Sequence, residues 1–288
     1  MSEKDRPSIL DEIAAKTRLR VEEAKKSLPL EKLREEALKL AAGSKSAAGH
    51  RSPGQANPGP GQQSSLAGLP FELALKRPGL SFICEVKKAS PSKGIIAEDF
   101  PWLEIAKEYE AAGADAISVL TEPDYFLGSD EYLREIAGAL KTPCLRKDFT
   151  IDPYQIYEAK VLGAAAVLLI CALLPKESLA AYIKIAEELN LSALVEAHTE
   201  AEIEQALEAG ARIIGINNRN LKTFNVDIEA GAKLRSHLPP GILTVSESGI
   251  QSAEEVRTLE SLGFDALLIG ESLMRSLDKK QFLQTLRG

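Results

Sequence analysis

The rhythm of hydrophobic and polar positions along this 288-residue chain changes twice. From Ser8 to Ser27 apolar residues (Ile9, Leu10, Ile13, Val21, Ala24, then Leu28) recur at three- and four-residue steps, with one slip near Thr17. That period predicts an amphipathic helix. Ser8 is placed as its N-cap, Asp11 three residues on approaches a capping box, and Pro29 stops it. Leu30 to Ala42 predicts a second, shorter helix. Residues 43–65 have no apolar period and are dominated by Gly, Ser, Pro, Gln and Ala, which predicts a flexible insert. Helical character resumes from Pro70 to Leu75.

Beyond Leu80 the pattern becomes cyclic. Short β-branched or Leu-rich runs alternate with helical segments. The predicted strands are Phe82–Lys87, Ala116–Leu120, Cys144–Lys147, Ala166–Ile170, Ala193–Glu196, Ile213–Asn217, Leu243–Ser246 and Ala266–Ile269. A weak internal repeat accompanies them. Ala112-Gly113-Ala114, Leu162-Gly163-Ala164, Ala209-Gly210-Ala211 and Leu262-Gly263-Phe264 each end a helix just before a strand, at steps of 50, 47 and 53 residues. Two βα units per step give a (β/α)8 TIM barrel preceded by an N-terminal helical extension. The division is then extension 1–42, insert 43–65 and barrel 66–288. The competing architecture, an open doubly wound sheet, would carry a G-x-G-x-x-G after its first strand, and none is present.

Composition adds limits. Apolar residues make up 44% and charged residues 27%, ordinary for a soluble globular protein. A net charge of −7 argues against nucleic acid or an anionic membrane as partner. The longest apolar run, Ala164 to Leu174, is too short to span a bilayer, and the first residues show no signal-peptide apolar stretch. Cys84, Cys144 and Cys171 form an odd set without C-x-x-C and read as inert, reduced core thiols of a cytoplasmic protein. His50, His198 and His237 show no metal-ligand spacing, so no metal site is expected.

In such a barrel, chemistry sits at the C-terminal strand ends. Here those ends collect ionisable groups. The first strand places Glu85 and Lys87 two apart on one face, followed by Ser90. The third ends Arg146-Lys147-Asp148-Phe149, the fifth in Glu196 with His198 behind it, the sixth in Asn217-Asn218-Arg219, and the seventh in Ser246-Glu247-Ser248-Gly249. The eighth ends Gly270-Glu271. Gly249 and Gly270 fall at the two loops that commonly offer backbone N–H groups to a phosphate, although either could be a plain turn residue. A structural ion-pair layer would also explain one Glu–Lys pair, but charges from five strands at one end fit it less well. Lys147, desolvated and near another cation, is expected to have a lowered pKa, suited to general-acid work or to Schiff-base chemistry. His198 reads as a hydrogen-bonded support rather than a catalyst.

These motifs resemble the indole-3-glycerol phosphate synthase family, the ring-closing enzymes of tryptophan biosynthesis. The resemblance runs from about Ile9 to the C-terminus apart from residues 43–65. It is carried by Glu85-Val86-Lys87-Lys88-Ala89-Ser90-Pro91-Ser92, Leu145-Arg146-Lys147-Asp148-Phe149, Gly215-Ile216-Asn217-Asn218-Arg219-Asn220-Leu221, Ser246-Glu247-Ser248-Gly249-Ile250 and Leu268-Ile269-Gly270-Glu271-Ser272-Leu273-Met274. It implies 1-(2-carboxyphenylamino)-1-deoxyribulose 5-phosphate as a small phosphosugar substrate, and no metal or organic cofactor. It also implies roles. Lys147 is the general acid at ring closure. Lys87 holds the substrate carboxylate and serves as an acid in dehydration. Glu196 is a second acid/base, and Glu85 and Asn217 orient these groups. Arg219 contacts the anthranilate part, and Phe126, Phe149 and Leu221 wall the aromatic pocket. Ser90, Glu247 and Ser248 contact substrate, and Ser90, Gly249, Gly270 and Glu271 hold its phosphate. The chain departs from the family pattern at Cys84, Ala165 and Ala197, all packing or turn positions, and in the insert. The family's extension helps cover the active site, so the insert is expected to influence closure. The rivals are another phosphosugar barrel such as phosphoribosylanthranilate isomerase, a Schiff-base aldolase, and a barrel kept as a binding scaffold.

Overall fold

The computed structural model describes residues 8–48, 69–220 and 224–288. Eight parallel strands close into a barrel: β1 (Ser81–Val86), β2 (Ala116–Leu120), β3 (Cys144–Lys147), β4 (Ala166–Ile170), β5 (Ser192–Ala197), β6 (Ile213–Asn217), β7 (Leu243–Glu247) and β8 (Ala266–Ile269). Each pairs with the next, and β8 returns to β1. All eight expected strands are present with ends displaced by at most one residue. A short antiparallel ribbon, Ala89–Ser90 against Gly94–Ile95, shapes the loop after β1.

The helices, in chain order, are α1 (Ile9–Ser27), α2 (Leu30–Ala48), α3 (Pro70–Leu75), α4 (Trp102–Ala111), α5 (Asp130–Ala139), α6 (Pro153–Val161), α7 (Lys176–Glu188), α8 (Glu200–Glu208), α9 (Ile228–Arg235), α10 (Ala253–Ser261), α11 (Glu271–Arg275) and α12 (Lys279–Arg287). Ser8 and Asp11 form the full capping box on α1. The second helix runs six residues past the expected end at Ala42. Its Gly-Ser-Lys-Ser-Ala-Ala tail has no large apolar residue to mark a period. The rest of the expected insert, from residue 49 on, lies outside the described residues. The four repeat glycines, Gly113, Gly163, Gly210 and Gly263, all take φ between +80° and +90°, the left-handed turn that lets a helix end and a strand begin at once.

Strand alternation divides the core in two. Outward side chains such as Phe82, Cys84, Val119, Leu169, Val195 and Ile216 pack under the helices. Inward ones, among them Ile83, Leu145, Leu168, Leu194 and Val245, fill the lumen. Phe71 and Leu75 of α3 join that inner cluster. The buried carboxylate of Glu72 on α3 pairs with Arg212 just before β6, so α3 plugs the N-terminal end of the barrel. Following the same inward positions toward the C-terminal ends, the apolar layer gives way to Glu85, Lys147, Glu196 and Glu247. One end is therefore sealed with hydrocarbon and the other lined with charge.

Candidate active site

The charged end opens into a cavity of about 890 Å³. Its floor is built from neighbouring strands by register. Glu85 stands opposite Ser118, Lys147 opposite Leu120, Glu196 opposite Gly215, and Glu247 opposite Asn217. Lys147 Nζ lies between two carboxylates, 3.6 Å from Glu196 Oε2 and 3.6 Å from Glu247 Oε2. On the other side, Lys87 Nζ donates to Glu85 Oε1 at 2.5 Å. Asn217 Nδ2 donates to Glu196 Oε1 at 3.2 Å.

Two glycines make room for these groups. A Cβ at Gly215 would overlap Glu247 Oε1, and one at Gly270 would overlap Glu85 Oε1. The missing side chains are therefore part of the floor, as well as permitting turns.

The electrostatics follow from the crowding. Burial favours the neutral amine of Lys147, but the charges of Glu196 and Glu85, joined by Glu247 where it ionises, outweigh it and hold its pKa well above the ordinary lysine value. The expected lowering is therefore wrong. The sequence displayed the nearby Lys87, whereas closure of the sheet supplies three carboxylates. A lysine held charged is a proton donor and a poor amine nucleophile, which removes the reason for the aldolase reading. Among the carboxylates, burial opposes ionisation of Glu196, yet Lys147 and His198 bring its pKa down to about 2. Glu85 is also held ionised against burial, by Lys87 and Lys147. Glu247 goes the other way. Burial and the Glu196 charge push it up to about 8, and its Oε1 has no hydrogen-bond partner among the described residues. The cluster thus separates ionised carboxylates from a carboxyl that keeps its proton at neutral pH.

His198 sits behind the cluster with Nε2 3.3 Å from Glu196 Oε1 and Nδ1 3.2 Å from Glu202 Oε2. Burial favours the neutral ring, but the two carboxylates raise its pKa to about 10. It supports Glu196, as expected. The three cysteines are buried, and burial pushes Cys144 and Cys171 up to about 12 and Cys84 higher still, so none offers a thiolate.

The remaining expected residues gather around this floor. Phe126 and Phe149 pack with ring centroids 5.9 Å apart and wall one side of the cavity. Arg219 also lines it, with its backbone N–H donating to Asn217 Oδ1 at 3.0 Å and Nη1 to Phe224 O at 3.1 Å. Ser90, Ser248, Gly249, Gly270 and Glu271 lie along the rim. The Glu271 carboxylate pairs with Arg275 at 3.2 Å and Lys93 at 3.5 Å, so its backbone N–H rather than its side chain suits an anion. Leu221 lies outside the described residues.

Two features were not legible residue by residue. The first is α1: resemblance implied that the extension covers the active site, and its Ile9, Leu10 and Ile13 line the cavity mouth. The helix is fastened there by Arg20, which donates to Asp148 at 2.8 Å, and by Lys25, which donates to Asp152 at 2.8 Å. Its apolar period was legible, but nothing in a period says which surface it covers. The second is Asn218, an outward neighbour of Asn217. Its Nδ2 donates to Ser246 Oγ at 3.0 Å and to the backbone carbonyl of Ser248 at 2.9 Å. Its position inside the Asn-Asn-Arg motif was the only available signal.

Among the described residues, no group of three or more His, Cys, Asp or Glu is arranged to hold a metal ion, and no helix is long and apolar enough to cross a membrane.

Comparison with known proteins gives a consistent picture. The family model for indole-3-glycerol phosphate synthase matches residues 10–286. The chain is 54% identical over 280 residues to the indole-3-glycerol phosphate synthase of Ruminiclostridium cellulolyticum, covering 97% of this chain and 99% of the relative. It is 46% identical over 282 residues to that of Lachnoclostridium phytofermentans, with the same coverage of both chains. Among solved structures, 3-hexulose-6-phosphate synthase from Salmonella typhimurium superposes with a TM-score of 0.60 at 14% identity, over 72% of this chain and 97% of that one, a likeness of fold alone.

Proposed function

The chain belongs to the indole-3-glycerol phosphate synthase family, and from that premise we propose how its barrel mouth converts 1-(2-carboxyphenylamino)-1-deoxyribulose 5-phosphate into indole-3-glycerol phosphate, carbon dioxide and water. The chain is a carbon–carbon carboxy-lyase of tryptophan biosynthesis. The observation that carries the assignment of roles is Lys147, a half-buried ammonium held charged by its acidic surroundings and lying 3.6 Å from both Glu196 and Glu247 at the floor of an aromatic-walled cavity.

Ring closure begins when the aromatic carbon bearing the carboxylate attacks the ketone carbon. Negative charge grows on the carbonyl oxygen, and Lys147 gives it a proton, leaving a hydroxyl. Loss of carbon dioxide returns the electron pair to the ring and restores its aromaticity. Lys87, positioned by Glu85, holds the carboxylate until that step and then protonates the hydroxyl. The C–O bond breaks, water leaves, and Glu196 takes the proton from the carbon beside nitrogen. Glu196 suits the base role because Lys147, His198 and the Asn217 amide keep it ionised and oriented. Glu247, carrying its proton, donates a hydrogen bond to a substrate hydroxyl without adding another charge. Phe126 and Phe149 hold the aromatic ring, with Arg219 at its edge. Ser90 and the backbone of Ser248-Gly249 and Gly270-Glu271 hold the phosphate. This remote anchor supplies binding energy to bend the substrate for attack. The buried unpaired thiols fit a reducing cytoplasm.

The test is fluorescence-monitored formation of indole product, without added metal, by wild type and Lys147→Ala. The expected result is product from the wild type and a loss of roughly 10³-fold or more in the variant. Equal rates in both would move the first acid elsewhere, with Lys87 the next candidate. No product from folded wild type would overturn the catalytic reading.

A further inference from the structure

We propose that Asn218 is a positioning residue for substrate phosphate, acting by clamping the loop after β7 in its anion-binding conformation. The inference rests on the assignment of the phosphate to that loop.

Alternation on β6 sends Asn217 into the lumen and Asn218 outward, toward α9. Asn218 is buried and separated from the cavity, so it cannot touch substrate. Its contacts nevertheless converge on one short stretch of the rim. Both amide hydrogens are used, one on Ser246 Oγ and one on the carbonyl of Ser248. Its backbone N–H donates to Glu247 O at 2.9 Å, and its own carbonyl accepts from Asp227 N at 2.9 Å. One residue thereby ties β6, the loop after β7 and the entry to α9.

The stretch it holds requires restraint. Ser248 adopts φ +70° and Gly249 follows at φ +89°. Glycine reaches that region freely, whereas serine does so against the steric cost of its Cβ. Both residues line the cavity, so the shape of this turn decides whether the Gly249 N–H faces a bound anion. The Asn218 amide holds the carbonyl on the far side of the same peptide unit and so fixes which way the Gly249 N–H points.

The fit around Asn218 is close. A Cβ at Gly231 of α9 would overlap Asn218 Oδ1, and a Cβ at Gly249 would overlap Val226 Cγ1. Rotating the amide by half a turn would set Oδ1 against the Ser248 carbonyl, two acceptors facing each other, so the observed orientation is the one that can hold the loop.

The experiment measures competitive inhibition by inorganic phosphate, together with KM and kcat, for wild type, Asn218→Ala, Ser248→Gly and the double variant. Thermal melting is recorded for each. If Asn218 clamps the loop, its loss raises the phosphate Ki and KM together by about tenfold, while kcat at saturation changes much less. Ser248→Gly accepts the left-handed φ without a clamp, so adding Asn218→Ala to it costs distinctly less than adding Asn218→Ala to wild type. Unchanged phosphate affinity in a folded Asn218→Ala, or a loss confined to melting temperature or kcat, overturns the proposal. So does a full additive loss in the double variant. If Asn218→Ala does not fold, Asn218→Ser, which keeps a polar group but cannot reach the Ser248 carbonyl, carries the same comparison. Gly249→Ala tests the site itself. If wild type is not inhibited by phosphate, or Gly249→Ala leaves Ki unchanged, the phosphate assignment fails and the inference falls with it.

Discussion

Arg146 and Lys147 are consecutive residues of β3, both cationic and both surrounded by carboxylates, yet they do opposite things. Arg146 points outward. Its Nη2 donates to Asp130 at 2.8 Å and Glu158 at 2.7 Å, its Nη1 to the carbonyl of Gln155 at 2.8 Å, and its Nε to Thr121 at 3.2 Å. Lys147 points inward, with both carboxylates at 3.6 Å, beyond hydrogen-bond length, and with the cavity in front of it. Both are held charged against burial by acidic neighbours. A shifted pKa therefore does not separate structure from chemistry. The separating feature is hydrogen-bonding capacity. The guanidinium is satisfied by the fold, whereas the ammonium is left with donors aimed at open space, ready for a substrate oxygen.

The largest test of that contrast replaces each residue by methionine. Removing Arg146 takes the donor from the largely buried Glu158 carboxylate and from the Gln155 carbonyl, and the expected cost is about 3–5 kcal/mol of stability, read as a lower denaturation midpoint. The folded fraction should keep turnover close to wild type. Lys147→Met should do the reverse. Its neighbours face the cavity, where water can enter, Glu247 already carries a proton and Glu196 keeps His198 and Asn217, so the melting temperature moves little while turnover collapses as for Lys147→Ala. If Arg146→Met keeps its stability and loses turnover, the two residues do not divide the work as their contacts suggest.

A smaller effect is expected at Glu247, where the sign can be worked out. Its pKa lies near 4.5 in the unfolded chain and is raised to about 8 in the folded one, by burial and by Glu196. Between those values the folded state holds a proton that the unfolded state releases. The stability linked to this group is therefore fully present below about pH 4.5 and is lost as pH rises to about 8. Glu247→Gln mimics the protonated form. It should remove that decline and also abolish an upper limb near pH 8 in kcat/KM, with a much smaller loss at neutral pH than Lys147→Met. An upper limb that persists unchanged in the Gln variant would assign it to another group.

How legible the two cations were differs in an instructive way. Eight strands were readable because each is a short apolar run that meets a polar strand end, and every second one follows a helix-ending glycine. Alternation also implied that Arg146 and Lys147 face opposite sides. The partners were not readable. Asp130 and Glu158 reach Arg146 from α5 and α6, the helices packed on either side of β3, while Glu196 and Glu247 reach Lys147 from β5 and β7, at separations in sequence that the curled sheet shortens. That is why Lys147 was expected to titrate low, beside Lys87, when its surroundings are dominated by acids. Resemblance supplied Glu247 as a substrate contact, but only the register that sets it beside Asn217, and the bare Gly215 that admits it, make it part of the charge cluster.

The smallest expected effect concerns His198, the charged group one layer behind Lys147. Burial lowers its pKa and Glu196 and Glu202 raise it to about 10, above the 6.5 of a free ring. Its ion pairs therefore contribute stability that is fully present below about pH 6.5 and is lost as pH rises through about 10. Like Arg146 it is partnered, through Nδ1 and Glu202 at 3.2 Å, and like Lys147 it faces a residue of the floor without a hydrogen bond, its Nε2 lying 3.3 Å from Glu196. Its place behind Glu196, outside the cavity lining, puts it on the structural side, acting only through Glu196. His198→Asn removes one of the two charges that hold Glu196 near pKa 2, so the acid limb of kcat/KM should move to higher pH while the rate at neutral pH falls only a few-fold. A loss of several orders of magnitude at neutral pH, with the acid limb in place, would mean that His198 exchanges a proton with substrate itself, and that partnering alone does not mark a cation as structural in this barrel.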